Sequence, residues 1–505
     1  MEHADTAQLA ALGGALGAVL VLLAGGRRSP AGGRAARFAL LAGLAVLALT
    51  ELALAWALGD GGLDRLSGAT AIAALVAGAA AVAAVAAIFL RWPAVVPIVV
   101  LVAAPLRPPL SFDSSSNFLV QIADDGRLGR LLPLYFVLAA AAAALGWRAL
   151  RGDEVRALPK PVALPAAGFF AFACCSLSWA EDVEAGTNLL LFFTLPFVAL
   201  LATVARAEYP DWAPRALVTA AIALASVFAA VGLWQAATHE LFFYAPNLAA
   251  SNANTDYFRV TSLFGDPSLY GRHVVLGIGV ALTLLATRRW RTWPLIAVLV
   301  LMWAGLLFSY SQSSMIALLV MTLALAVTTG DRRIRRAVAL LAAAAVVAAC
   351  AYVAVQVADG KSLNRITSDR TERVQDATRV IEKHPIAGVG IGGQPRASRR
   401  LADSDRPTPN FVSHTTPLTV FAELGVIGLA LYAWLLVGGT YLILRLRRRD
   451  EALALALGVT FLGLFTHALF YSGFLEDPLT WLVIGTAAGC SAQPVVERRR
   501  EVAPA

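Results

Sequence analysis

Charged residues are scarce in this sequence. They make up 15% of the 505 residues, whereas 58% of the residues are apolar. Soluble domains carry about 25% charged residues, because a polar shell must cover their apolar core. A chain of this composition could not build such a shell, and apolar runs of membrane-spanning length fill most of it. The composition therefore excludes a soluble globular protein and predicts a membrane protein.

Cysteine is also scarce, and the common motifs for metals and nucleotides are missing. Each of the four cysteines lies inside an apolar run, so they provide neither a disulfide framework nor the spacing of a zinc site. The sequence contains no His-Glu-x-x-His, no Cys-x-x-Cys and no nucleotide-binding loop. We therefore expect neither a metal nor another cofactor.

The apolar runs predict the fold class. Fifteen segments are candidate membrane spans, and the segment at 92–106 is short enough to be re-entrant. We expect every span to be helical, because in lipid the backbone groups of a segment must pair within it. The sequence therefore predicts an all-α polytopic membrane protein with about 14–15 transmembrane helices.

Positive charge is distributed unevenly between the two sides of these spans. Of the 41 Lys and Arg residues, 25 lie in alternate short loops that face one side, and five lie in the short loops of the other side. Positive residues mark the cytoplasmic side and contact anionic headgroups, so the charge does not indicate nucleic-acid binding. We expect a multi-pass protein of the bacterial inner (plasma) membrane, with its N-terminus outside and its C-terminus in the cytoplasm.

One long polar segment, residues 358–415, interrupts the apolar runs. The alternation of spans places it outside, although it carries ten Lys and Arg residues, and long loops are permitted to break the charge rule in this way. It divides the chain into five predicted parts. These are N-terminal helices at 1–180, central helices at 181–357, the extracytoplasmic loop at 358–415, three C-terminal helices at 416–492 and a cytoplasmic tail at 493–505.

The extracytoplasmic loop contains a predicted amphipathic helix from Asp369 to Lys383. An apolar stripe runs along this helix, and arginines surround the stripe, as in helices that lie on a membrane surface. Arg365, Arg370 and Arg373 are candidates to hold a lipid-linked diphosphate through bidentate hydrogen bonds. The alternative is that these arginines anchor the loop to lipid headgroups. A glycine-rich turn, Gly388 to Gly393, could also place backbone N–H groups against phosphate.

Two candidates lie where the loop enters the next span. His414 stands at its outer mouth, where a neutral imidazole could take a proton from an incoming hydroxyl; alternatively it caps the helix with Ser413 and Thr415. Glu423 lies about two turns deeper, and intramembrane carboxylates are usually functional or paired. Glu423 is therefore a candidate for substrate binding or, alternatively, for an ion pair with Arg272.

A second polar patch surrounds the outer end of the ninth span. Five of its residues fall within a stretch of fifteen: Arg259, Asp266, Tyr270, Arg272 and His273. The patch favours a site for an anionic substrate, and neutralisation of Arg272 by Asp266 is the alternative. Gln312 belongs to a further polar run at the same membrane face. His467 and Asp477 could add polar groups to the same cavity.

These patches, in this order, resemble the O-antigen ligase and O-antigen polymerase superfamily of bacterial membrane glycosyltransferases. The resemblance covers roughly residues 180 to 490. It rests on a Pro-x-x-Gly-x-Gly turn from Pro385, a histidine motif from His414 and a Glu-x-Gly-x-x-Gly motif from Glu423. The stretch from Arg259 to Ser268 is similar to the family's Arg-x-x-Gly-x-Phe-x-(Asp/Glu)-Pro-Asn segment.

The resemblance implies a specific reaction. Members of this superfamily take a glycan from undecaprenyl diphosphate on the extracytoplasmic face and pass it to the hydroxyl of a lipid or glycan acceptor. They invert the anomeric centre without a metal. By analogy, Arg259 would bind the donor diphosphate and His414 would orient or deprotonate the acceptor. Arg365, Arg370 and Arg373 would complete the anion site.

The sequence departs from the family at two positions. Gln312 stands where the ligases usually have an arginine, and Arg272 is a candidate to replace that charge. Thr415 stands where the family has asparagine after the histidine. The alternative function is a transporter or flippase of a lipid-linked or anionic substrate, although the sequence contains no internal repeat and its charges gather at one face.

Overall fold

The computed structural model describes most of the chain. The described residues are 3–25, 30–59, 69–112, 120–122, 129–243, 246–288, 290–330, 332–360 and 370–492. The predicted tail at 493–505 and the candidate Arg365 lie outside these ranges.

The described residues are almost entirely helical. The first part of the chain forms α1 (Ala4–Leu23), α2 (Pro30–Leu58), α3 (Ala69–Arg91), α4 (Val96–Ala103), α5 (Leu132–Leu150), α6 (Lys160–Cys175), α7 (Val183–Leu189), α8 (Leu195–Ala205), α9 (Trp212–Thr238) and α10 (Pro246–Ala253). The second part forms α11 (Pro267–Ala286), α12 (Thr292–Leu307), α13 (Gln312–Thr329), α14 (Arg332–Ala358), α15 (Arg370–Lys383), α16 (Gln394–Leu401), α17 (Thr416–Leu446), α18 (Glu451–Ala468) and α19 (Pro478–Ala492).

The predicted fold class is confirmed. Within the described residues, twelve helices are long and apolar enough to cross a membrane, and one of them runs through α7 and α8 as a continuous helix, Val183–Ala205. Three shorter apolar helices, Pro93–Ala103, Thr292–Leu307 and Pro478–Ala492, occupy the places of further predicted spans. The protein is therefore an all-α polytopic membrane protein, as the apolar runs predict.

A small hairpin adds to this helical fold. Strands β1 (Leu110–Phe112) and β2 (Val120–Ile122) pair antiparallel, with Leu110 opposite Ile122. The hairpin could not be predicted from the sequence, because it lies in a predicted loop and each strand has only three residues.

The span at the centre of the later helices is α11, which contacts α9, α12, α13 and α18. Small residues allow this close packing. A Cβ atom on Gly277 would lie 2.1 Å from the Cβ of Ala225, and one on Gly279 would lie 2.1 Å from the methyl group of Met321. Helix α11, which carries Arg272 in its second turn, is therefore held among neighbouring helices rather than at a lipid-facing surface.

Helix α17 is broken at Gly425, whose φ of 63° and ψ of −165° are non-helical. The glycine-rich turn after Pro385 fills this break. The N–H groups of Val389 and Gly390 donate to the carbonyls of Ala422 and Glu423 at 3.0 and 2.8 Å, and the N–H of Val426 donates to the carbonyl of Pro385 at 2.9 Å. The turn is therefore a structural partner of α17.

The other donors of this turn are occupied as well. The N–H of Ile391 donates to the hydroxyl of Ser176 at 3.0 Å, and the N–H of Gly393 donates to the carbonyl of Gly390 at 3.1 Å. The Glu423 carboxylate accepts hydrogen bonds from the N–H groups of Gly392 and Gln394. The interpretation of this turn as a phosphate cradle is wrong, because its N–H groups are used within the protein.

Helix α15 matches the predicted amphipathic helix, but its apolar stripe packs against other parts of the protein and not against a membrane surface. Ala377 and Val380 are buried, and Val380 packs with Val389, Ala397 and Ala422 in a small core of its own. The stripe therefore docks α15 onto α16 and the broken part of α17 rather than onto a membrane surface. This core fixes the first turn of α15, which carries Arg370 and Arg373.

We expect Gly425→Ala to destabilise the protein. An alanine would be strained at this φ, at a cost of about 1–3 kcal/mol, and its Cβ would lie 2.0 Å from the carbonyl oxygen of Ile386. Thermal unfolding of the purified protein in detergent would measure the loss. Gly146→Ala in α5 is the control, since a Cβ there has no neighbour closer than 3.6 Å. Equal melting temperatures of Gly425→Ala and wild type would contradict this account of the break.

Candidate functional site

The predicted site residues belong to one end of the helix bundle, the end at which residues 370–415 lie, called the loop end. The starts of α11, α13, α17 and α19 and the end of α18 lie there, together with the connection at 469–477. The polar side chains at the loop end form two groups, one around Arg272 and one around His414. The other predicted site residues lie apart from the group around His414.

Arg272 belongs to a buried network, called the Arg272 network, which includes Asp477, His467 and Ser313. The Arg272 side chain is 4% exposed, and its Nη1 lies 2.6 Å from Oδ2 of Asp477. Its Nε donates to Nδ1 of His467 at 3.2 Å, and its other terminal nitrogen donates to the carbonyl of Ser472. Every nitrogen of this guanidinium therefore has a partner within the protein. The expected partners Asp266 and Glu423 are both wrong, because the ion pair is with Asp477.

The Arg272 network continues through His467 to α13. Nε2 of His467 lies 3.1 Å from the hydroxyl oxygen of Ser313. Since a guanidinium can only donate, Nδ1 of His467 is an acceptor, and the proton of the neutral ring is on Nε2. The histidine therefore donates to Ser313 and cannot take its proton, which excludes a serine nucleophile activated by His467. The network links α11, α13 and α18 to Asp477, the residue directly before α19, and its internal pairing supports a structural role.

The second group, called the His414 cluster, consists of His414, Arg370 and Arg373. Nη1 of Arg373 donates to Nε2 of His414. Nδ1 of His414 and Nε of Arg373 are buried and have no hydrogen-bond partner among the described residues. Arg370 is half-buried beside them and has neither a hydrogen bond nor an ion pair in the described part of the chain. The alternative role of His414, capping α17, is wrong, because Nε2 of His414 contacts Arg373 and Nδ1 has no partner among the described residues.

The electrostatics of the His414 cluster follow from this concentration of positive charge. Burial and the neighbouring guanidinium groups of Arg373 and Arg370 lower the pKa of His414 to about 4. Burial, together with Arg373, also lowers the pKa of Arg370. Each of these cations would gain stability from an anion, because no carboxylate among the described residues forms an ion pair with them. The cluster is therefore suited to bind an anionic group next to a neutral histidine.

Other arginines of the loop are neutralised within the protein. Each of three arginines forms an ion pair of 2.8 Å or less with a carboxylate: Arg379 with Asp376, Arg400 with Glu181 and Arg406 with Glu372. The tertiary structure thus separates Arg370 and Arg373 from arginines that look equivalent in the sequence.

Tyr471 connects the two groups. Its ring lies nearly parallel to that of His414, with ring centroids 6.1 Å apart, and the Arg272 guanidinium lies 5.7 Å from its ring centroid. Burial raises the pKa of Tyr471, and its protonated hydroxyl donates to the carboxylate of Asp266. Asp266 also caps α11 by accepting two N–H groups of its first turn. Sequence reasoning missed Tyr471, because an aromatic residue at the end of a span is ordinary at a membrane interface.

Arg107, between α4 and the hairpin, was also missed as a site residue. It is close enough to interact electrostatically with Tyr471, Asp477 and Arg272, and burial lowers its pKa. It has no hydrogen bond or ion pair among the described residues. The sequence does contain a signal for Arg107: cations are rare in the short loops of its side of the membrane, and it is one of only five there.

Arg259 lies at the loop end, and among the described residues only one nitrogen of its guanidinium has a hydrogen-bond partner. Its Nε donates to the carbonyl of Ser309 at 3.3 Å, and its backbone N–H donates to the side chain of Asn252 at 3.0 Å. Both terminal nitrogens have no partner in the described residues. The contacts of Arg259 do not include His414, Arg370 or Arg373, so the structure does not join it directly to the His414 cluster.

The remaining predicted residues lie apart from the His414 cluster. Tyr270 is fully buried, and its hydroxyl lies against Gly232 and Gly305 between helices. Gln312 begins α13 with an exposed side chain. Glu423 is buried at the break of α17. These three stay predictions as substrate-binding residues, and the positions of Tyr270 and Glu423 are explained by packing and backbone pairing.

His273 lines an apolar cavity next to the site. Its Nδ1 is 2.9 Å from the carbonyl of Leu269, and its ring stacks on Phe264. The cavity lies between α4, α9, α11, α18 and α19, and Pro105 at its edge is two residues from Arg107. A long apolar group could therefore lie in the cavity while a polar group attached to it reaches Arg107.

Metal ligands do not gather in the described ranges. No three His, Cys, Asp or Glu side chains there come together in a way that could hold a metal ion. The cysteines are free, and Cys174 and Cys490 are buried.

We expect Asp477→Asn to destabilise the protein strongly, because it leaves the buried charge of Arg272 unpaired. Removal of one partner of a buried ion pair costs about 3–5 kcal/mol, and the double variant Arg272→Gln/Asp477→Asn should recover part of this loss. Thermal unfolding would measure both. Glu451→Gln is the matched control, because Glu451 pairs with Arg447 at an exposed site, where a pair contributes about 0–1 kcal/mol. If Asp477→Asn unfolded like wild type, the structural role of the Arg272 network would be wrong.

Comparison with known proteins adds an independent finding. Residues 297–433 match the family model described as O-antigen ligase. The matched segment contains Arg370, Arg373, His414, Glu423 and the turn that fills the break of α17, whereas Arg107 and Arg259 precede it. No curated protein matches the chain. The match supports a glycosyltransferase of the O-antigen ligase or polymerase type in general terms. It confirms the resemblance predicted from the motifs and supports the O-antigen ligase and polymerase superfamily for this chain.

Proposed function

We propose that the protein moves a glycan from undecaprenyl diphosphate to the hydroxyl of a lipid or glycan acceptor on the extracytoplasmic face of the inner membrane. The observation that carries this proposal is the His414 cluster. Two arginines that have no carboxylate partner within the described part of the chain, Arg370 and Arg373, lie beside a neutral histidine at the end of a membrane-embedded bundle. Such a cluster suits an anion that must be held next to a proton acceptor.

The chemistry of the donor agrees with these side chains. A polyprenyl diphosphate is already a good leaving group, so the protein needs only to stabilise its charge and to position the acceptor. Arg370, Arg373 and Arg107 would do so with fixed guanidinium groups, and the terminal nitrogens of Arg259 would add further donors. Direct attack of the acceptor oxygen on the anomeric carbon would invert that centre, and this step requires no metal.

The apolar cavity beside Arg107 supports a donor attached to a lipid. Its lining is almost entirely aliphatic and aromatic, with side chains from α9, α11 and α18. A polyprenyl chain in this cavity would place its diphosphate near Arg107. The distribution of Lys and Arg residues supports an extracytoplasmic position of the loop end, with the N-terminus outside and the C-terminus in the cytoplasm.

We expect His414→Ala and Arg259→Ala each to reduce glycan transfer by about 100-fold or more, because general base catalysis and stabilisation of an anion each contribute effects of this size. The assay measures transfer from synthetic undecaprenyl-diphosphate glycan in proteoliposomes. Arg396→Gln is the control, since it removes an exposed arginine of the same loop.

Full transfer by both variants would show that the proposed site is wrong. A wild-type protein that transferred glycan from no donor but moved a lipid-linked or anionic solute across the bilayer would instead be a transporter or flippase.

A further inference from the structure

We propose that Arg373 is a positioning residue that masks His414, and that the donor diphosphate unmasks the histidine by competing for the Arg373 guanidinium. The inference rests on the proposed function and deepens it by fixing an order of events. The donor must bind before the acceptor hydroxyl can lose its proton.

The masking follows from the hydrogen bond between the two side chains. A neutral imidazole has one nitrogen with a free lone pair, and only this nitrogen can take a proton. A guanidinium has no acceptor, so the bond from Nη1 of Arg373 identifies Nε2 of His414 as that nitrogen. The proton of the ring is consequently on Nδ1, which is buried and has no partner among the described residues. With Arg373 in this position, His414 has no lone pair to offer an acceptor hydroxyl.

Arg373 is weakly retained in this position compared with other arginines of the loop. Arg379, Arg400 and Arg406 are each paired with a carboxylate. Arg373 instead donates to a neutral ring, and its buried Nε has no partner in the described part of the chain. A phosphate oxygen is a charged acceptor and forms stronger, often bidentate bonds with a guanidinium. A diphosphate beside Arg373 and Arg370 would therefore replace Nε2 of His414 as the acceptor of the Arg373 N–H groups.

The charged groups that face His414 all lower its pKa. Helix α15 contributes two cations, Arg370 and Arg373, and the connection at 469–477 contributes the neutral phenol of Tyr471. No carboxylate in the described residues contributes to the pKa of His414, which burial and the two cations lower to about 4. An anion that pairs with these cations removes their effect and adds negative charge nearby, so it makes His414 a stronger base.

The reaction step that follows is balanced. A diphosphate oxygen accepts the N–H groups of Arg373, and the bond between Arg373 and His414 breaks. Nε2 of His414 then takes the proton of the acceptor hydroxyl while the hydroxyl oxygen forms a bond to the anomeric carbon. The bond from that carbon to the diphosphate oxygen breaks, and both electrons leave with the polyprenyl diphosphate. The proton remains on His414, next to the diphosphate that was released.

Masking has a functional consequence. Coupling the base to the diphosphate keeps His414 a poor proton acceptor until a donor lies beside it.

The test is a titration of His414 by nuclear magnetic resonance. Full-length protein labelled at its histidine rings is placed in lipid nanodiscs, and the signal of His414 is assigned by its loss in His414→Gln. The probe is inorganic pyrophosphate. We expect a neutral His414 across pH 5–8 without the probe, and a rise in its proton affinity of about tenfold or more with saturating pyrophosphate.

Variants of Arg373 separate masking from a purely structural role. Arg373→Gln removes the cation, so we expect a higher pKa of His414 without pyrophosphate and a smaller response to the probe. Arg373→Lys keeps a cation and should restore part of the wild-type behaviour. Arg396→Gln is the control and should titrate like wild type. Thermal unfolding of each variant shows that it is folded.

Two results would overturn the inference. One is a wild-type His414 whose pKa does not change with saturating pyrophosphate. The other is an Arg373→Gln variant whose His414 titrates as in wild type. Neither measurement needs glycan transfer, so a failure of the proposed function is seen separately in the proteoliposome assay. Active transfer that depends on His414, with a titration that ignores pyrophosphate, would refute the masking alone.

Discussion

The break in α17 leaves backbone N–H and carbonyl groups that a membrane-spanning helix cannot pair by itself. Such groups cost several kcal/mol each in lipid, so irregular backbone is tolerated only where other protein groups pair it. Residues 385–390 supply the partners, through hydrogen bonds to Ala422, Glu423 and Val426. The pairing also fixes the loop that carries α15 and α16, because Val389 of the turn packs in the same small core as Val380.

The position of His414 depends on this arrangement. The buried side chain of Gln394, at the start of α16, accepts the N–H of Ser413 at 3.1 Å and donates to the carbonyl of Phe411 at 3.0 Å. The hydroxyl of Thr415 donates to the carbonyl of Leu469 at 3.1 Å. His414 is thus held between the loop and the end of α18, with Arg373 on one side and Tyr471 on another. The motifs that begin at Pro385, His414 and Glu423 meet because one turn fills one helix break.

Charge at the loop end is divided between structural and available groups. Arg272 is deep in the bundle, and its pairing with Asp477 offsets the cost of burying a charge. Arg370 and Arg373 are half-buried, pair with no carboxylate of the described ranges, and lie where a ligand could reach them. Sequence reasoning grouped Arg272 with the anion site because an intramembrane arginine is often functional. It could not identify Asp477 as a partner, since the two residues are 205 positions apart in the chain.

The amino-acid sequence by itself determined the class of the protein. Apolar runs must become helices in lipid, so composition and length were enough for the all-α polytopic fold. The spacing of apolar residues was enough for the amphipathic helix α15. Short motifs were enough for the superfamily. Only the tertiary structure decided which arginines are available, because an ion pair depends on a partner that the local sequence does not reveal. It also showed that the glycine-rich turn serves the break at Gly425, since hydrogen bonds of the backbone leave no trace in side-chain chemistry.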